Sequence, residues 1–67
     1  MNNLKSIRES AAMTQKELAD LSGVNIRSIQ AYESGLRDLS GASVSVVYSL
    51  AKALGCRIEE LIGQEPL

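Results

Sequence analysis

The segment from Thr14 to Gly35, TQKELADLSGVNIRSIQAYESG, constrains the fold most strongly, because its small and apolar residues are spaced for two crossing helices. Ala19 allows a second helix to approach the first closely. Gly23 can adopt the left-handed conformation that ends a helix without a steric penalty. The apolar Ile29 then fills the angle between the two helices. We therefore predict two short helices that are joined by a sharp turn and cross near a right angle.

Helical periodicity dominates the chain, and no strand-like alternation of useful length occurs. Capping and breaking residues divide it into five predicted helices: from an Asn2 or Asn3 cap to about Ser10, from Thr14 to Ser22, from an Asn25 cap to Ser34–Gly35, from Ala42 or Ser43 to Gly55, and over residues 57–62. The predicted fold class is all-α, a compact five-helix bundle. We expect one domain over residues 1–67, with a frayed tail at residues 64–67.

Apolar residues at helical spacing identify the predicted inward faces. These positions are Leu4, Ile7, Arg8 and Ala11 in the first helix, Val47, Leu50, Ala51 and Leu54 in the fourth, and Ile58, Leu61 and Ile62 in the fifth. Because Arg8 is a charged residue within an apolar stripe, it needs a partner.

Local patterns give three further expectations. Thr14 and Glu17 have the spacing of a capping box at the start of the second helix. Arg57 holds the cap position of the fifth helix, where a Ser, Thr, Asn or Asp is preferred, so that start is expected to be loose. Four further apolar residues either cover the core or form a partner surface, and the sequence leaves both open: Leu36, Leu39, Val46 and Tyr48.

Composition excludes several classes of function. No run of about 18 apolar residues is present, so no membrane span is predicted. The single cysteine, Cys56, permits no internal disulfide, which fits a reducing cytosol and a cytoplasmic protein. Without histidine, and with no nucleophile–base pair or metal-ligand cluster, the sequence predicts no enzyme, metal site or cofactor. No small-molecule ligand is evident.

One set of residues matches a known family in spacing, size and order: Gln15, Leu18, Ala19, Gly23, Val24, Ile29, Tyr32, Glu33 and Gly35, followed by LAKALG over Leu50–Gly55 and IEELI over Ile58–Ile62. With these residues the chain resembles the helix-turn-helix family of phage repressors and Cro proteins, the XRE type, over roughly Leu4–Gly63. The resemblance implies a lambda-repressor-like domain that binds double-stranded operator DNA as a homodimer and regulates transcription as a repressor.

The resemblance also implies roles for individual residues. The residues that match the family's base-reading positions run from Asn25 to Gln30, at the start of the third helix, and include Ile26. Thr14 and Gln15 match positions that contact phosphates. Arg8 and Glu33 match a structural ion pair.

A helical wheel, at about 100° per residue, gives an independent view of the third helix. With Ile29 directed to the core, the opposite face is Arg27, Ser28, Gln30 and Ala31. Arginine can bind both major-groove acceptors of guanine, glutamine can pair with adenine, and alanine can only touch a thymine methyl. Lys16 and Arg37 are the cations expected to join Thr14 and Gln15 at phosphates.

Plainer interpretations stay open for several of these residues. Exposed arginines and glutamines such as Arg27 and Gln30 are also ordinary on solvated surfaces, and Gln15 could merely support a helix cap. Ile26 lies between the core and the outer face and suits packing as well as base contact. The net charge of −1 is unusual for a nucleic-acid binder and motivates a second hypothesis, a protein-interaction module that no longer binds DNA.

Overall fold

The computed structural model describes residues 2–63 and contains five α-helices. They are α1 (Leu4–Ser10), α2 (Gln15–Ser22), α3 (Ile26–Ser34), α4 (Val44–Leu54) and α5 (Ile58–Ile62), with a 3₁₀ turn at Leu39–Gly41 between α3 and α4. No strand occurs within the described residues, so the all-α, five-helix prediction is confirmed. The fraying predicted for residues 64–67 lies outside the described part of the chain.

Side-chain caps fix the starts of α2 and α3. The Thr14 hydroxyl accepts a hydrogen bond from the Glu17 backbone N–H at 3.0 Å, and the Glu17 carboxylate accepts one from the Thr14 N–H at 2.8 Å. This is the complete capping box that the sequence predicts. The Asn25 side chain accepts from the Arg27 backbone N–H at 2.8 Å, as an N-cap should. The turn between these two helices is therefore determined locally.

Gly23 ends α2 in the predicted left-handed conformation. Its φ is +77°, and its N–H donates to the Ala19 carbonyl at 2.9 Å. A residue with a Cβ pays a steric cost in this region, whereas glycine does not. The chain consequently turns sharply within three residues and enters α3 at Ile26.

The core is aliphatic apart from one tyrosine. Its buried residues are Leu4, Leu18, Ile29, Tyr32, Leu39, Val47, Leu50, Ala51 and Leu61. The helix α2 packs against both α3 and α4, while α1 packs against α3 and α5. Because Ile29 and Tyr32 face this core, the opposite side of α3 is left on the outside of the molecule.

Some predicted inward positions are wrong or only half-buried. Ala11 is exposed, because α1 ends at Ser10 and the chain leaves the helix there. Ile7, Leu54, Ile58 and Ile62 pack against the core but keep part of their surface exposed.

The start of α5 is held more firmly than its cap residue suggests. The Glu60 carboxylate accepts a hydrogen bond from the Arg57 backbone N–H at 3.1 Å. It also accepts one from the Arg57 guanidinium at 3.4 Å. This is the half of a capping box that the third helical residue supplies. The expectation of a loose start, made from Arg57 alone, therefore missed Glu60.

The four ambiguous apolar residues, two between α3 and α4 and two in α4, differ in their burial. Leu39 is fully buried, Val46 is half-buried, and Leu36 and Tyr48 are exposed. The burial of Leu39 depends on the 3₁₀ turn, which Asp38 caps by accepting from the Ser40 N–H at 3.1 Å. Leu39 thus covers the core, and Leu36 and Tyr48 do not.

Candidate nucleic-acid interface

Two residues on the outer face of α3, Arg27 and Gln30, are exposed to solvent, as the helical wheel predicts. Arg27 and Gln30 are both exposed, whereas Ile29, between them in sequence, is fully buried. Asn25 is exposed while it caps the helix, and Ile26 retains 36% of its surface. An arginine, a glutamine and a partly exposed isoleucine thus share one accessible surface.

Ser28 and Ala31 are less exposed than the wheel indicates. Both are half-buried, because the chain after α3 folds back along this side of the helix. The Arg37 backbone N–H donates to the Ala31 carbonyl at 3.2 Å, and the Arg37 guanidinium donates to the Ser28 hydroxyl at 3.4 Å. Ser28 and Ala31 are therefore only partly exposed on this face, and its fully accessible part is Arg27 and Gln30 with Ile26 at its edge.

The predicted ion pair between Arg8 of α1 and Glu33 of α3 is present. Arg8 Nε donates to Glu33 Oε2 at 2.6 Å, and Nη2 donates to Glu33 Oε1 at 3.1 Å. The third donor, Nη1, binds the Met13 carbonyl at 2.7 Å. The two side chains are only 11% and 5% exposed, so this is a buried, bidentate ion pair that ties α1 to α3.

The surroundings keep Glu33 ionised. Burial by itself raises the pKa of this carboxyl, but the hydrogen bonds from Arg8 and Gln15 and the positive charges of Arg8 and Lys5 outweigh it. The pKa of Glu33 therefore lies below its ordinary value. The hydrogen bond to Glu33 raises the pKa of Arg8 against the opposing effect of burial. Both partners carry full charge at neutral pH.

Gln15 connects the ion pair to the exposed face of α3. Its Nε2 donates to Glu33 Oε1 at 3.0 Å, and its Oε1 accepts from Gln30 Nε2 at 3.3 Å. A chain of side chains thus runs from Arg8 through Glu33 and Gln15 to Gln30. Sequence reasoning identified all four residues, and the family resemblance implied the Arg8–Glu33 pair. It did not identify the two contacts of Gln15, which join residues 18 and 15 positions apart and leave no local signal.

The remaining phosphate candidates on α2 are already engaged. The Thr14 hydroxyl and N–H are used in the capping box. Lys16 Nζ lies 3.2 Å from a carboxylate oxygen of Asp20, one turn further along the same helix. Both members of this pair are highly exposed, so water screens the contact and a competing anion can replace it.

Arg37 is held against α3 rather than projecting freely. Its guanidinium lies 5.0 Å from the centre of the Tyr32 ring, within cation–π distance. With the bond to Ser28, this contact places the cation in a groove of about 310 Å³ that Asn25 and Ser45 also line. A planar guanidinium fixed in this way loses little further entropy when it binds an anion.

Residues 2–63 provide neither a metal-binding cluster nor a membrane-spanning helix. No group of three or more histidine, cysteine, aspartate or glutamate residues there is placed to hold a metal ion. None of the five helices is long and apolar enough to cross a membrane.

The fold and the geometry of α2 and α3 define a helix-turn-helix protein, and a comparison of the sequence with family models agrees. A family model described as helix-turn-helix matches residues 4–61. The chain belongs to this XRE-type helix-turn-helix family, whose domains bind DNA and are not enzymes. Among curated protein sequences, none matches the chain significantly.

Proposed function

We propose that this protein is a sequence-specific transcriptional regulator, a repressor, that binds a two-fold operator as a homodimer in the cytoplasm. The observation that carries the proposal is the exposure of Arg27 and Gln30 on the outer face of α3, opposite the fully buried Ile29. In the helix-turn-helix arrangement the second helix enters the major groove. In this chain that helix is α3.

Each residue of the surface has a proposed role that follows from its chemistry. Arg27 donates to guanine O6 and N7, and Gln30 pairs with N6 and N7 of adenine. Ile26 contacts a thymine methyl group. Asn25, Ser28 and Ala31, as the remaining base-side positions, contribute to the shape of the surface or reach bases at its edge.

Phosphates on either side of the groove are bound from two elements. Gln15 and Lys16, together with Thr14, lie at the start of α2, where free N–H groups and the helix dipole attract anions. Arg37 approaches from the loop that follows α3. Only Lys16, Arg27 and Arg37 supply positive charge here, so one subunit neutralises few phosphates, and a useful affinity requires two. The two half-sites then lie about 34 Å apart, one turn of DNA.

Selection of bound sequences from a random duplex pool, followed by fluorescence anisotropy on the enriched duplex, tests this proposal. We expect a motif with two-fold symmetry that contains guanine and adenine in each half-site. Arg27→Ala should weaken binding to this duplex by about 30-fold or more, since one bidentate contact is worth about 1–3 kcal/mol of discrimination and the homodimer loses one in each half-site. The same change should relax the preference at a single base pair per half-site.

Arg57→Ala provides the matched control. It removes the same charge and side chain from the start of α5, outside the proposed surface. We expect it to leave the base preferences unchanged and the affinity nearly so. Binding that shows no sequence preference, or that responds equally to both substitutions, would contradict the proposal.

A protein-interaction module on the same scaffold is the second candidate. It is favoured by four large apolar side chains that are well exposed: Leu21, Leu36, Val44 and Tyr48. The acidic balance of the chain points the same way. In the selection experiment this module enriches no duplex.

A further inference from the structure

We propose that Gln15 is a positioning residue that fixes the amide of Gln30 for adenine, and that Glu33 determines the orientation in which it does so. This inference rests on the proposed function, since it assigns a specificity device to the same surface. It concerns the hydrogen-bonded chain of Glu33, Gln15 and Gln30.

The first step is the orientation of the Gln15 amide, which chemistry determines. An ionised carboxylate only accepts hydrogen bonds, so the group that Gln15 turns toward Glu33 must be its NH₂. Glu33 is ionised because Arg8 binds both of its oxygens. The Gln15 carbonyl must then point the other way, toward solvent and α3. The reversed amide would place two acceptors, Gln15 Oε1 and Glu33 Oε1, against each other.

The second step passes this orientation to Gln30. The outward carbonyl of Gln15 needs a donor, and Gln30 Nε2 lies 3.3 Å from it. One of the two hydrogens of the Gln30 NH₂ is thereby used, and its other hydrogen and its carbonyl stay free. These two groups are the donor and the acceptor that adenine N7 and N6 require. Without Gln15 the Gln30 amide could rotate and offer the same two groups in reversed order.

The inner end of this row of hydrogen-bonded side chains is held firmly. Glu33 is held by two hydrogen bonds from Arg8, and its side chain is only 5% exposed. Gln15 is half-buried above it, and only Gln30 is fully on the surface. Burial therefore decreases from Glu33 through Gln15 to Gln30, so the exposed Gln30 amide is supported by more deeply buried and better-held side chains.

The test is a double-mutant cycle of Gln15→Met and Gln30→Ala, measured by anisotropy on the selected operator. Methionine has nearly the length of glutamine and a good helix propensity but cannot make these hydrogen bonds. Four duplexes are compared that differ only at the base pair Gln30 faces. We expect wild type to prefer adenine there by about tenfold, and Gln15→Met to reduce this to about twofold or less. Preferences at the base pair that Arg27 reads should not change.

The cycle separates positioning from a contact with phosphate. In the Gln30→Ala background, Gln15→Met should have no effect on base preference, because the residue it positions is gone. If Gln15→Met weakens all four duplexes by the same factor, Gln15 contacts only phosphate and the inference is wrong. If wild type shows no base preference at any position, the proposed function fails as well. If wild type prefers adenine at this base pair and Gln15→Met keeps the same preference, the inference about Gln15 is wrong but the proposed function stands.

A measurement on the wild-type protein guards against a variant that does not fold. Nuclear Overhauser effects from the Gln30 side-chain NH₂ to the Gln15 side chain should be visible in the free protein, together with restricted rotation of both amides. A Gln30 amide that averages freely, with no contact to Gln15, would contradict the inference without any substitution.

Discussion

Replacement of Arg8 by leucine should nearly unfold the protein, because it leaves a buried carboxylate without its main partner. Arg8 supplies two of the three side-chain donors to Glu33, and Gln15 supplies the third. Removal of one partner from a buried ion pair costs about 3–5 kcal/mol. A domain of 67 residues has a free energy of unfolding of about 3–10 kcal/mol, at about 0.05–0.15 kcal/mol per residue. The substitution therefore removes a large part of the stability.

The double variant Arg8→Leu/Glu33→Leu separates the cost of an unpaired charge from the worth of the pair. Apolar replacement of both partners is often neutral or better, so we expect the double variant to lie within about 1–2 kcal/mol of wild type. Urea denaturation followed by far-UV circular dichroism measures all three proteins. Because the pair is buried, the loss in Arg8→Leu should persist in 1 M salt, where the screening length is about 3 Å.

A loss of less than about 1 kcal/mol in Arg8→Leu would be typical of a surface pair and would refute this reasoning. A double variant as unstable as the single variant would refute it as well. The cause would then be lost packing rather than an unpaired charge.

Three further predictions concern single residues. Glu33 has a lowered pKa in the folded state, so its contribution to the free energy of unfolding is complete above the unfolded pKa of about 4.3 and is lost as the pH falls through the lower folded pKa. In urea titrations at several pH values, Glu33→Gln should therefore reduce the loss of stability at acid pH. Gly23→Ala should lower the free energy of unfolding by about 1 kcal/mol because φ is +77°, although no atom lies within 4 Å of the added Cβ. D-alanine at the same position of a synthetic chain should cause no loss, because a D-residue favours this φ. Asp20→Asn should strengthen DNA binding and steepen the log–log salt slope by up to about 0.9, because Asp20 competes with phosphate for Lys16; an unchanged slope would remove Lys16 from the phosphate contacts.

The parts of the fold that local chemistry determines could be predicted from the sequence. The capping box at Thr14, the cap at Asn25 and the left-handed Gly23 each depend on residues within four positions, so spacing alone identifies them. The exposure of Arg27 and Gln30 followed from the direction of Ile29 and the geometry of a helix. Features that depend on the residues of a single helix and its caps were therefore predicted correctly.

The parts that tertiary contacts determine could not be predicted in the same way. Ala31 is only partly exposed because the backbone of Arg37 folds back on it. Leu39 became a core residue through a 3₁₀ turn that periodicity does not signal. The route from Glu33 to Gln30 depends on how α1, α2 and α3 pack together. A wheel drawn for one helix contains none of this information.

Base analogues in the selected operator test most directly whether α3 reads the major groove. Substitution of 7-deazaguanine removes the N7 acceptor in the major groove, whereas inosine removes only the N2 amino group in the minor groove. We predict that 7-deazaguanine at the guanine facing Arg27 weakens wild type by about 5-fold or more and leaves Arg27→Ala unaffected, and that inosine has little effect on either protein. Binding that tolerates 7-deazaguanine but is weakened by inosine would contradict the central claim.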